Sequence, residues 1–212
     1  MGDQYSPNRV LVDHVLRYPK TNLKVLVVGA GPGGLLAAIE CWRKGHDVQI
    51  IEKGQDISSI GDIIALGPSA IAVFRHFPTL LQEYYDVGID AETAIVQVDG
   101  TAAAPPTEFE ANRPDVAPHA AFPIRNSVII SRCDITKILY KQCVRLDIPI
   151  RWGVYEEDEV LNKGRAVASD GTQYEADFVV AADGLGSRSH SFTLGKPVRA
   201  VGTGYSIYRA AI

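Results

Sequence analysis

The sequence predicts an α/β fold built on a Rossmann-like parallel sheet, and three observations carry that prediction. Residues 23–28, LKVLVV, form an apolar run without alternation, as expected of a parallel strand buried on both faces. The run enters Gly29-Ala30-Gly31-Pro32-Gly33-Gly34 directly, and Gly29, Gly31 and Gly34 have the GxGxxG spacing. A helical pattern and a second apolar strand follow, closing on an acidic residue about 20 residues past the glycines.

Each element has its own local reason. Gly29 permits the tight turn, Gly31 lets a pyrophosphate approach the backbone, and Gly34 lets the helix pack close to the strand. From about Gly33 the residues Leu35, Leu36, Ile39 and Trp42 recur near i, i+3, i+4 spacing, and Lys44-Gly45 ends the helix with a cation and a glycine. The N-terminus of that helix points at the glycines, where unpaired amides and the helix dipole favour a pyrophosphate. Val48 to Ile51 form the second strand, and Glu52, followed by Lys53, stands where a carboxylate accepts hydrogen bonds from an adenosine ribose. A glycine-rich loop of another α/β protein would lack this register, so the stretch reads as a dinucleotide-binding unit. The motif alone does not choose between NAD and FAD.

Later segments repeat the pattern of a strand or helix presenting one polar group. Arg132 opens a helix whose Ile135, Ile138, Leu139 and Leu146 face a core, which leaves the guanidinium to reach toward a phosphate or to lie in solvent. Phe178 to Ala182 is a short apolar strand, so Asp183 stands at its carboxyl end, the edge of an open parallel sheet where ligands bind, with Gly184 and Gly186 behind it. Asp99-Gly100 and Asp170-Gly171 lie between polar or alternating segments and read as hairpin turns instead.

These segments, in this order, resemble the flavin-dependent aromatic hydroxylases, the single-component FAD monooxygenases that include salicylate hydroxylase-like enzymes. The resemblance rests on the glycine turn with Glu52-Lys53, on Gly61 to Ala70, on Ser131-Arg132-Cys133-Asp134-Ile135, and on the Asp-Gly segment from Ala176 to His190. Ile63 and Ser69 depart from the family pattern, and Ile135 replaces its usual Leu conservatively. The resemblance implies a glutathione-reductase-type FAD-binding sheet with inserted β-hairpins. It also implies that Gly29, Gly31 and Gly34 hold the FAD pyrophosphate, Glu52 and Lys53 the ribose side, and Arg132, Asp183 and Gly184 further polar parts of FAD. NADH or NADPH would be the reductant, and one oxygen atom of O2 would go to an aromatic or alkene-bearing small molecule. Arg209, in the Tyr-x-x-Tyr-Arg setting of an alternating segment from Gly204 to Ala210, is a candidate on the substrate side, although a strand arginine is more often a surface group.

The expected organisation is a polar arm over residues 1–22, an FAD-binding domain over 23–190 and the start of a substrate-side sheet over 191–212. The family pattern calls for roughly twice this length. A second Gly-Asp motif, which in the family ends the last parallel strand, does not follow Gly184. The chain therefore reads as cut short before the substrate domain is complete, with an exposed sheet edge open to self-association. Two other functions stay open: a non-catalytic FAD-binding fragment, and a nicotinamide-only dehydrogenase, which would leave Arg132 and Asp183 unexplained together.

Composition limits the remaining classes. With 46% hydrophobic and 22% charged residues, net charge −4, and no apolar run near the ~20 residues of a membrane helix, the chain reads as soluble and globular, with no transmembrane segment and no nucleic-acid partner. Cys41, Cys133 and Cys143 lack paired metal spacing and the five histidines are scattered, so neither a metal nor a disulfide is expected. The odd cysteine count, with no signal-like start, fits a reducing, cytoplasmic compartment. MGDQYS has the spacing of a myristoylation acceptor, but the acidic residue after Gly2 argues against one. Ala102 to Pro118, with four prolines, reads as a surface loop.

Overall fold

Residues 25–28 are buried on both faces because two separate cores meet at this strand. The computed structural model describes residues 8–57, 61–89, 92–105, 107–108, 129–154, 165–167, 169, 171–187, 189–198 and 201–205. In chain order the elements begin with β1 (Val10–Val12), β2 (Val15–Arg17), β3 (Lys24–Val28), α1 (Pro32–Arg43) and β4 (Asp47–Glu52). They continue with β5 (Ile63–Ala65), α2 (Pro68–Ile71), a 3-10 turn (Ala72–His76), α3 (Pro78–Val87), β6 (Glu92–Thr93), β7 (Thr107–Glu108) and β8 (Ile129–Ser131). The last are α4 (Arg132–Arg145), β9 (Ile150–Trp152), β10 (Arg165–Val167), β11 (Gln173–Glu175), β12 (Phe178–Ala181) and α5 (His190–Leu194).

The central sheet is four-stranded, ordered β12-β3-β4-β9, with every neighbouring pair parallel. Along β3, Val25 and Val27 pack with α1, α4 and the aromatic residues Phe74, Phe77 and Tyr84. Leu26 and Val28 pack on the opposite face with Ile51, Val154 and Tyr174. Both sets of side chains leave water, which removes the alternation that a half-exposed strand would show. The helix stripes face the first of these cores: Leu35, Ile39 and Trp42 of α1 and Ile135, Ile138 and Leu139 of α4 are buried, as is Leu146 just after α4.

The short hairpins lie outside the central sheet. β10 and β11 pair antiparallel around Gly171, whose φ is +79°, and Val96 bridges Ala102 around Gly100, whose φ is +85°. β6 pairs with β7, so Thr107–Glu108 within the expected loop is a strand. β5 pairs with β8, which carries Gly61 and Asp62 to the start of α4; there the Arg132 amide donates to the Asp62 carbonyl at 2.8 Å.

One expectation meets a different outcome, and another falls mostly outside the described residues. Over residues 8–22 the chain is an ordered hairpin rather than an arm: β1 and β2 pair antiparallel, Val15 is fully buried, and Tyr18 donates its amide to the Arg43 carbonyl at 2.8 Å. Its turn has Asp13 and His14 at φ +46° and +60°, a left-handed pair supplied without glycine. Of the alternating segment from Gly204 to Ala210, only Gly204 and the exposed Tyr205 are described, so the expected strand lies outside the described residues, as do Arg188 and Arg209.

Candidate functional site

The glycine turn is set by two backbones that leave no room for side chains. Gly29 has φ +105°, and a Cβ on it would collide with the carbonyl of Ala182 at the end of β12. A Cβ on Gly34 would collide with the carbonyl of Gly29 itself. These contacts draw β3, α1 and β12 into one junction. Gly31 differs: nothing lies within 4 Å of its Cβ position, and its φ of −72° is ordinary. Its lack of a side chain therefore keeps space open and does not relieve a backbone clash.

That space belongs to a cleft of about 860 Å³ at the carboxyl ends of the parallel strands. Gly29 and Gly31, Glu52 and Lys53, Arg132, and Asp183 and Gly184 all border it. Four segments separated widely in sequence thus deliver the expected groups to one place. Gly34 lies behind the wall, buried at the junction, so its part is in packing.

The electrostatics of the cleft follow from its elements. α1 begins at Pro32, has no acidic residue in its first turn, and receives no side-chain cap from Gly31. Its first-turn amides and the positive end of its dipole are left for an anion. Glu52 accepts hydrogen bonds from the amides of Ala30 and Gly54, each at 2.7 Å. The carboxylate thereby ties the glycine turn to the end of β4, with lone-pair capacity left for a ligand hydroxyl. Arg132 is exposed at the first position of α4, its stem lying over Gly61, and among the described residues its guanidinium makes no ion pair. Asp183 accepts from the buried hydroxyl of Ser189 at 3.1 Å, which orients its carboxylate at the cleft rim.

Thr136 and Trp152 also border the cleft and escape a reading of the sequence alone. Thr136 follows Arg132 by one helical turn and donates its hydroxyl to the Arg132 carbonyl at 2.6 Å. That i, i+4 spacing was the available signal. Trp152 stands beside Glu52 across the β4–β9 pair and packs edge-on against Tyr140, with centroids 5.9 Å apart. Its strand has three residues, too few to show a period.

The cysteines stand apart from these groups. All three are free thiols, and burial pushes the Cys143 thiol up to about 12. Among the described residues no cluster of three or more His, Cys, Asp or Glu is grouped as for a metal, and no helix is long and apolar enough to cross a membrane.

Comparison with known proteins places the chain among FAD-binding proteins. The chain is 36% identical over 211 residues to the FAD-dependent monooxygenase AacuC of Aspergillus aculeatus, covering 92% of this chain and 39% of that protein. It is 37% identical over 209 residues to the FAD-dependent monooxygenase dmxR9 of a Cryptosporiopsis species, covering 94% and 40%. Among solved structures, CtdE in complex with FAD and substrate 4 aligns with a TM-score of 0.72 and 29% identity over 86% of this chain and 43% of that one. The chain thus spans about two fifths of the length of the curated relatives it matches. The family model described as FAD binding domain matches residues 22–205, and this chain belongs to that FAD-binding family.

Proposed function

We propose that the chain supplies the FAD-binding part of a monooxygenase that uses NADH or NADPH and O2 to hydroxylate or epoxidise an aromatic, polyketide-like or terpenoid-like small molecule. The observation carrying this reading is the convergence of Gly31, Glu52, Arg132 and Asp183 on one cleft. FAD when bound supplies the redox chemistry, passing two electrons from the reduced nicotinamide to O2, one atom of which enters the substrate while the other leaves as water.

The residues fit that group on their own geometry. The open position beside Gly31 and the uncapped start of α1 suit a pyrophosphate, the held carboxylate of Glu52 suits a ribose, and Arg132, which makes no ion pair among the described residues, suits a further phosphate or hydroxyl. Lys53 adds a cation on the ribose side, while Asp183 and Gly184 fix the rim where β12 ends. Arg209 is assigned to the substrate side on its sequence setting. We place the protein in the cytoplasm, and we assign the outer edge of β12, where Phe178 is exposed, to pairing with a further strand or a second copy.

The test is a titration of the 212-residue chain with FAD, read by flavin fluorescence, followed by an assay of substrate-dependent NAD(P)H oxidation. Saturable binding with oxidation supports the full reading. Binding alone assigns this chain to cofactor holding without turnover. A folded chain that binds NAD tightly and takes up no flavin would make it a dehydrogenase domain.

A further inference from the structure

The amino-terminal hairpin grips two helices at the ends opposite the cleft. On α1, the Arg17 guanidinium donates to the Trp42 and His46 carbonyls at 3.0 Å each, and its Cζ lies 4.4 Å from the Trp42 ring centroid. Tyr18 bonds the Arg43 carbonyl through its amide, and its ring receives the side chains of Arg9, Arg43 and Lys44. A Cβ on Gly45 would collide with the Pro19 carbonyl, so the chain after β2 runs directly against the end of α1.

The hairpin turn reaches the other helix. Asp13 accepts from the side chain of the fully buried Gln142 at 3.1 Å and lies 3.2 Å from Nε of Arg145, both in the last turn of α4. Arg145 also forms a two-pronged pair with Glu83 of α3, at 3.0 Å on each branch, and donates to the Gln142 amide oxygen at 2.8 Å. One turn of the hairpin therefore touches a network spanning α3 and α4, while its second strand holds α1.

The cleft depends on these same two helices at their other ends. α1 brings Gly31 and its uncapped first turn, α4 brings Arg132, and the helices pack together. At about 1.5 Å rise per residue, Arg43 lies about 18 Å from Gly31 along α1 and Arg145 about 20 Å from Arg132 along α4. Helices are stiff over such lengths, and packed interiors deform little, so fixing the far ends fixes the spacing of the near ends.

We propose that residues 8–22 act as a clasp that positions α1 against α4 and so sets the separation of the glycine turn and Arg132 across the cofactor cleft. No residue of the clasp lines the cleft, and its effect is transmitted through the helices. The assignment rests on the FAD-cleft reading for its binding consequence and stands independently of it for its mechanical one.

The experiment compares the parent 212-residue chain with Asp13→Asn and with the double variant Asp13→Asn, Arg17→Met, using Leu11→Ser on the outward face of the hairpin as a control. Amide hydrogen exchange is read at Leu35, bonded to the Gly31 carbonyl, and at Asp134, bonded to the Ser131 hydroxyl. The expected result is faster exchange at both amides, graded from single to double variant, with a several-fold rise in FAD Kd and no change for Leu11→Ser. Faster exchange confined to the turns near Gly45 and Leu146 overturns the proposal and leaves the hairpin a local brace. So does faster exchange at Leu35 and Asp134 with parental FAD affinity. Asp13→Asn preserves side-chain size and keeps the test valid if the double variant does not fold. If the parent itself takes up no FAD, the cleft reading fails, and exchange at Leu35 and Asp134 alone decides the clasp.

Discussion

Replacing Gly31 by Val should separate cofactor binding from folding. Gly31 has φ −72° and ψ 173°, which any residue adopts, and nothing lies within 4 Å of its Cβ position. A side chain here restricts the unfolded chain, a gain of about 0.4–1 kcal/mol, and is offset by a poorer helix N-cap of similar size. Stability should therefore stay within about 1 kcal/mol of the parent. On the proposed reading, however, the added methyl groups would occupy the approach of the pyrophosphate to the loop. Losing two amide–phosphate hydrogen bonds at about 1.5–3 kcal/mol each gives about 3–6 kcal/mol, or more than a hundredfold in Kd. The assay pairs FAD titration with thermal unfolding of the same preparation. Parental affinity with parental stability would refute the placement of the pyrophosphate at Gly31. Gly34→Ala provides the opposite case: its Cβ meets the Gly29 carbonyl, so it should lose about 1–3 kcal/mol of stability before any question of binding arises.

Glu52→Ala should weaken FAD by about 1–3 kcal/mol in titration, and denaturant unfolding should show a stability loss of similar size because the Ala30 and Gly54 amides lose their acceptor. Cys143, raised in the folded state from an ordinary 9.0 to about 12, contributes stability that is fully present below about 9 and is lost progressively as pH rises toward about 12. Denaturant midpoints over that window should fall more steeply in the parent than in Cys143→Ala; equal slopes would contradict the burial argument. Gly45→Ala, at φ +91° and against the Pro19 carbonyl, should cost about 1–3 kcal/mol in thermal unfolding, whereas a parental Tm would show that the hairpin is not seated there.

The parts of this molecule legible in its sequence are those whose physics is local. The run from Leu23 to Glu52 announces itself because a buried strand, a glycine turn and an amphipathic helix each have a short-range signature. The helix at Arg132 is equally plain, with Ser131 accepting the Asp134 amide at 3.0 Å as a cap. The roles proposed for Arg132 and Asp183 rest on resemblance, because periodicity reveals an element and not what its end residue faces. The hairpin at residues 10–17 was missed because its turn uses Asp13 and His14 in place of Asn-Gly, and its polar surroundings masked two strands of three residues. Trp152 was hidden for a different reason: its position beside Glu52 is a pairing across about a hundred residues, set by tertiary contact.

The contact between Gly29 and Ala182 also has a consequence for the order of events during synthesis. β12 pairs with β3 in the register Phe178 to Val25, so the glycine turn made early in translation waits for residues made far later. A ribosome that has completed the chain only through β3, α1 and β4 has produced every glycine of the motif but not the wall against which Gly29 closes. Loop closure over such a span is slow compared with local helix formation. On the cofactor-cleft reading proposed above, flavin capture waits for the emergence of the Asp-Gly segment, and a pause placed before it would hold the nascent chain in a state that has the motif and lacks the wall of the cleft.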